Sequence, residues 1–279
     1  MKAYRKILVL LLALGCLFMF TACEPSGSGV QTYDIRSGSG ISSARVFYPG
    51  NIAQLSNVGA TTLSSGMGGS KEGMYWLAEP LAEAGMVVIA VSASDNMTVG
   101  GYERSHRGGL DLLQSENSSS RSPIYGKIGK RGIIGYSKGG GAVINVASAL
   151  GNQVGTCVAL APWSPSPTRN HSAATMILTG TADTIAPASM GSGAYRSLPA
   201  GVPKLYASMR GESHFYWNSR RTLGSETDFI RAWLQFYLED NDGAYNVFSQ
   251  GPGSGMTDYQ FDPGTGGDNG DNGDNSGCD

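Results

Sequence analysis

The chain is short of residues that cross-link, coordinate or carry strong charge. Four cysteines and three histidines are spread over 279 residues. Cys16 and Cys23 fall in or beside an apolar N-terminal run, Cys157 sits in an apolar strand, and Cys278 lies near the end. That scatter gives no intramolecular disulfide framework. Charged residues are only 15% of the chain, 20 basic against 22 acidic. There is no basic field for nucleic acid. Nothing repeats at a fixed period.

What is present divides into a leader, a body and a tail. Lys2, Arg5 and Lys6 precede the apolar run Ile7 to Phe20, followed by Thr21-Ala22-Cys23. This reads as a secretory signal of lipoprotein type over residues 1–22, with Cys23 as the lipid attachment point. The expectation is an exported chain held at a membrane surface without spanning it, or a secreted one if Cys23 is not lipidated. Residues 23–32 read as a flexible tether. Residues 262–279, rich in Gly, Asp and Asn, lack the apolar residues of a core and read as disordered. Their spacing resembles calcium loops but lacks the closing bidentate Glu, so no metal is assigned. The body, 33–261, is long enough for one sizeable core.

The body alternates strands and helices. Apolar runs at Val87 to Val91, Cys157 to Ala161 and Met176 to Thr179 read as strands buried on both faces. Arg45 to Tyr48, Ala60 to Ser64, Gly132 to Gly135 and Leu205 to Ser208 complete the strands. Met74 to Glu83, Tyr102 to Leu113, Gly140 to Leu150 and Thr227 to Leu238 have helical spacing. The fold class is therefore α/β, a mostly parallel central sheet with helices on both faces.

One stretch carries chemistry. Ile134 to Gly141 reads IGYSKGGG. A short strand precedes Ser137 and an apolar helix follows, the context of a nucleophile elbow. Ser137-Lys138 is in the reverse order to a Walker loop, and no dinucleotide fingerprint is present. In this class the acid and then the base follow the nucleophile. Two histidines follow Ser137, and His171 comes before the suitable acid. Asp183 and Glu212 are the acids between Ser137 and His214. Asp183 follows one strand and His214 follows the next, as loop residues of a triad should. Glu212, two residues from His214, reads as a surface charge. His106 and His171 read as surface histidines. The triad is Ser137, Asp183 and His214. Lys138 N–H and the glycine-rich loop Ser64 to Lys71 would supply the oxyanion donors.

SPIYGKI from Ser122, IGYSKGGG, APW from Ala161, DTIAP from Asp183 and SHF from Ser213 together resemble the bacterial cutinase-like polyester hydrolases, which include enzymes acting on poly(ethylene terephthalate). The likeness runs from about Val46 to Tyr237. It implies an α/β-hydrolase fold with little or no lid, and serine ester hydrolysis without metal or cofactor. Ser137, Asp183 and His214 take the triad places. Met67 takes the place of an aromatic oxyanion-hole residue, and Lys138 that of a methionine. Trp163 matches the aromatic wall. Tyr75 and Trp76 read as packing, and one of Phe215, Tyr216 and Trp217 as cleft lining. The expected partner is an ester or polyester, with the chain acting as a monomer. Dienelactone-type and lipase-like hydrolases, a peptidase of the same fold, and an inactive surface binding protein are the rival readings.

Overall fold

The computed structural model describes residues 29–218 and 224–264. The expected signal, Cys23 and most of the tail lie outside the described residues. Among the described residues nine strands form one sheet: β1 (Val30–Ile35), β2 (Ile41–Pro49), β3 (Val58–Ser64), β4 (Val87–Ala93), β5 (Ile128–Tyr136), β6 (Thr156–Leu160), β7 (Ala174–Gly180), β8 (Lys204–Met209) and β9 (Met256–Asp262). Their spatial order is β1-β2-β4-β3-β5-β6-β7-β8-β9. The strands from β4 through β3 to β8 run parallel, and β1, β2 and β9 are antiparallel margins. This is the α/β-hydrolase fold.

Alternation along the strands sorts apolar side chains onto two faces. Val88, Ile134, Val158, Leu178 and Leu205 join one core cluster. Their neighbours Ile89, Ile133, Cys157, Ile177 and Tyr206 join the other. The first face is covered by α1 (Tyr75–Glu83), α5 (Ser225–Glu239) and α6 (Tyr245–Ser249), which bring Leu77, Leu81, Trp233 and Phe248. The second is covered by α2 (Val99–Ser118), α3 (Lys138–Leu150) and α4 (Ala188–Ser197), through Leu113, Ile144 and Tyr195. Trp233 is fully buried, and its indole N–H donates to Thr156 Oγ1 at 2.7 Å. Pro80 lies inside α1, which continues through it to Glu83.

The structure differs from the sequence reading in several places. β1 begins at Val30, three residues inside the stretch read as a tether. Its N–H and C=O groups pair with β2, which fixes a segment that buries none of its residues fully. β9, α4 and α6 were not anticipated. β9 has one buried residue, Met256, then alternates part-buried and exposed ones, and joins the sheet as an antiparallel margin beside β8. Cys157 is buried, and burial pushes its thiol up to about 12.

Two histidines read as surface residues are interior. His106 is fully buried on the inner face of α2, with Nδ1 2.6 Å from Thr62 Oγ1 and Nε2 2.8 Å from Ser64 Oγ. His171 is buried in the loop before β7, against Ser148 Oγ at 2.9 Å and Thr175 Oγ1 at 2.7 Å. Hydroxyl partners reach both ring nitrogens of each histidine, so neither buried ring lacks hydrogen bonds.

Burial lowers the His106 pKa from 6.5 to about 3, and lowers that of His171 too. Between about pH 6.5 and 3 the unfolded chain binds a proton at His106 that the folded chain refuses. Stability from this residue is therefore complete above the unfolded value and drains away as pH falls, at up to about 1.4 kcal/mol per pH unit for one proton. Denaturant unfolding from pH 7 to 4 checks this. His106→Gln should flatten the slope by up to that amount. An unchanged slope would rule out His106 as a source of acid lability.

Candidate active site

β5 delivers Ser137 at a sharp turn into α3. Ser137 has φ 55° and ψ −117°, a conformation that non-glycine residues rarely adopt. The surroundings hold it there. Ser137 N–H donates to Leu160 O at 2.9 Å, and its carbonyl accepts from Gly141 N–H at 2.9 Å and Trp163 N–H at 2.8 Å. A side chain at Gly135 would overlap the Gly139 carbonyl, and one at Gly139 would overlap Ser64 and Ser65. The two glycines flanking the serine are thus a steric requirement of the turn.

Asp183 and His214 come from loops beyond β7 and β8. Asp183 Oδ1 accepts from the N–H groups of Ile185 at 2.9 Å and Ala186 at 2.7 Å. Its Oδ2 lies 2.7 Å from His214 Nδ1, and His214 Nε2 lies 2.9 Å from Ser137 Oγ. Tyr136 OH donates to the His214 carbonyl at 3.0 Å, so the residue before Ser137 also anchors the histidine. Glu212 offers its backbone carbonyl to Ala182 N–H at 3.0 Å, tying the two loops together. Ser137, Asp183 and His214 are all at least 94% buried. The parallel sheet brings the ends of β5, β7 and β8 to one edge, and all three side chains meet there.

The loop after β3 lies against Ser137. A methyl built on Gly66 would sit 2.6 Å from Ser137 Cβ, so only glycine fits there. Met67 follows it at the cleft mouth, 56% exposed. Lys138 opens α3, and its N–H is one of those a helix start leaves without an intrahelical acceptor. The Lys138 ammonium lies on the exposed rim, 2.6 Å from Met97 O and 3.1 Å from Met67 Sδ.

These groups open onto a cleft of about 340 Å³ that includes Met67, Trp163, Ile185 and Phe215. Its lining is mainly apolar and its rim is solvent-accessible, with Phe215 63% exposed. Trp163 lines the same cleft. Of the three aromatics after Ser213, Phe215 faces the cleft and Tyr216 and Trp217 are buried. Ile185 was not singled out by the sequence reading. Its signal was adjacency, two residues beyond Asp183 in the same loop. Larger hollows of 460 and 430 Å³ are lined largely by polar and charged side chains and contain none of the three triad residues. Among the described residues no three His, Cys, Asp or Glu side chains gather as metal ligands would.

A family model described as PET hydrolase-like matches residues 22–262. Cutinase est1 of Thermobifida alba is 28% identical over 222 residues, covering 78% of this chain and 72% of that protein. Cutinase 1 of Thermobifida cellulosilytica is 29% identical over 231 residues, covering 79% and 82%. Bis(hydroxyethyl) terephthalate hydrolase of Streptomyces coelicolor is 25% identical over 213 residues, covering 75% and 66%. With a match across nearly all of the described fold, the chain belongs to the PET hydrolase-like family.

Proposed function

We propose that the chain hydrolyses carboxylic esters of short to medium acyl length, and aliphatic polyesters, through an acyl-enzyme on Ser137. The observation that carries this is the hydrogen-bonded line from Asp183 Oδ2 to His214 to Ser137 Oγ, at 2.7 and 2.9 Å, opening onto an apolar cleft. The names of the similar cutinases and of the terephthalate-ester hydrolase support the same reaction class.

The steps follow from the geometry. His214 Nε2 takes the proton as Ser137 Oγ attacks the ester carbon. The carbonyl oxygen becomes an oxyanion and meets the N–H groups of Met67 and Lys138, the latter at the positive end of α3. Asp183 holds the ring with Nδ1 protonated and stabilises the imidazolium. Collapse breaks the carbon–oxygen bond, and His214 gives its proton to the departing alcohol. Water repeats the sequence on the acyl-enzyme and releases the acid.

Met67 shapes the substrate range. Its flexible thioether packs against an acyl chain but offers no rigid ring to stack on a terephthalate unit. Trp163 and Phe215 keep aromatic esters within reach. The expected result is a higher kcat/KM for a butyrate ester than for bis(hydroxyethyl) terephthalate, by about tenfold, or roughly 1.4 kcal/mol of transition-state discrimination. The reverse order would overturn the substrate assignment. A serine-directed phosphonate should label Ser137, and failure to label it would overturn the acyl-enzyme itself.

A further inference from the structure

We propose that Tyr102, on the buried face of α2, is a positioning residue for the oxyanion hole: its hydroxyl fixes the Gly66–Met67 peptide plane and thereby aims the Met67 N–H at the developing oxyanion. The proposal rests on the reading of Ser137 and Met67 given above.

Tyr102 is fully buried, and its hydroxyl donates to the carbonyl of Gly66. Gly69 N–H donates to the same carbonyl at 2.9 Å. That carbonyl and the Met67 N–H belong to one peptide unit. The peptide is trans, so the two groups point in opposite directions. Two donors gripping the carbonyl from within the fold therefore turn the N–H outward, into the cleft that Gly66, Met67 and Ser137 line. A donor on the carbonyl also polarises the amide and makes its N–H a stronger donor.

The rest of the setting is rigid. The Asn96 carbonyl accepts from Gly68 N–H at 2.8 Å and lies 3.4 Å from the Tyr102 hydroxyl. The start of α2 is capped by Thr98, whose Oγ1 accepts from Gly101 N–H at 3.0 Å. One turn after Tyr102, on the same helix face, His106 binds Ser64 at the end of β3, where the oxyanion loop begins. Helix α2 thus grips both the root of the loop and its key peptide. Burial pushes the Tyr102 phenol up to about 12, so it keeps its proton and remains a donor at neutral pH.

A tyrosine that merely filled the core would leave the chemical step alone when its hydroxyl is removed. The experiment uses the full chain carrying Tyr102→Phe, with active sites counted by a serine-directed phosphonate so that unfolded protein drops out. Removing an oxyanion donor outright costs about 10²- to 10³-fold in kcat, and misaiming one should cost about tenfold. Per titrated site, kcat for p-nitrophenyl butyrate should fall by that factor, with KM within about twofold. Affinity for a short alkyl boronic acid, whose tetrahedral serine adduct puts oxygen in the hole, should fall in parallel. Tyr206→Phe is the control. It removes another buried hydroxyl, bonded to Ser208 at 2.9 Å, and should leave kcat unchanged. If Tyr102→Phe yields no titratable enzyme, 3-fluorotyrosine at position 102 keeps both ring and donor and should retain wild-type kcat and boronate affinity. A loss there as large as tenfold would overturn the proposal. So would unchanged kcat and boronate affinity in Tyr102→Phe. Failure of the phosphonate to label wild-type Ser137 overturns instead the functional reading on which the proposal stands.

Discussion

Ser137→Ala should lose at least about three orders of magnitude in ester turnover, equivalent to about 4 kcal/mol of transition-state stabilisation, while the fold survives. The reason is local. Ser137 Oγ lies 2.9 Å from His214 Nε2, and the hydroxyl is the group that would form the covalent intermediate. Its backbone bonds to Leu160, Gly141 and Trp163 do not involve the side chain. Alanine keeps the Cβ that packs against Gly66, so the elbow retains its shape. The imidazole left without Oγ faces the open cleft, where water can replace the lost partner. Turnover of p-nitrophenyl butyrate and a thermal melt on the same sample check both halves. Retention of more than about a tenth of the activity would sink Ser137 as nucleophile.

Asp183→Asn should cost nearly as much, about 10³- to 10⁴-fold in kcat, by a different route. The N–H groups of Ile185 and Ala186 both point at Oδ1. They would select the amide oxygen of asparagine for that position. The amide NH₂ would then face His214 Nδ1, where Oδ2 stands at 2.7 Å. Nδ1 would have to accept a hydrogen bond and so lose its proton. The proton would move to Nε2, which could then no longer take one from Ser137. The fold should persist, because the two backbone bonds to Oδ1 remain. Single-turnover rates with phosphonate-counted sites test this. A loss below about tenfold would mean that Asp183 does not set the tautomer of His214.

The two predictions rest on residues that were readable before any coordinates. Histidine was scarce, the acids between Ser137 and His214 were only Asp183 and Glu212, and each candidate followed an apolar strand. Buried parallel strands such as VVIAV announce themselves, because both faces must be apolar. The margins were harder to read. MTDYQFD and VQTYDI each set three apolar residues among polar ones and bury at most one of them fully, and their stability comes from pairing with β8 and β2. Helix α4 is mostly small and polar and buries only Gly191, Ala194 and Tyr195.

His106 was misread because its neighbours Arg104 and Arg107 are charged. The relevant signal was its helical spacing from Tyr102 and Leu110, which share the inner face. His171 had no such signal, since a loop has no period.

The sequence by itself determined the residue types, their order along the chain, and the strict glycines of the elbow. These are local matters, governed by periodicity, turn sterics and the chemistry of each side chain. Only the tertiary structure decided which groups meet. Ser137 and His214 are 77 residues apart, and Asp183 and His214 are 31 apart. Their distances are set by adjacent strand ends in a packed parallel sheet. The same packing turned Phe215 outward and Trp217 inward, and buried two histidines among hydroxyls. It also brought the Tyr102 hydroxyl to the back of the Gly66 peptide, 36 residues away. The direction in which a backbone N–H points depends on what holds the carbonyl behind it, and here that group arrives from another element of the fold.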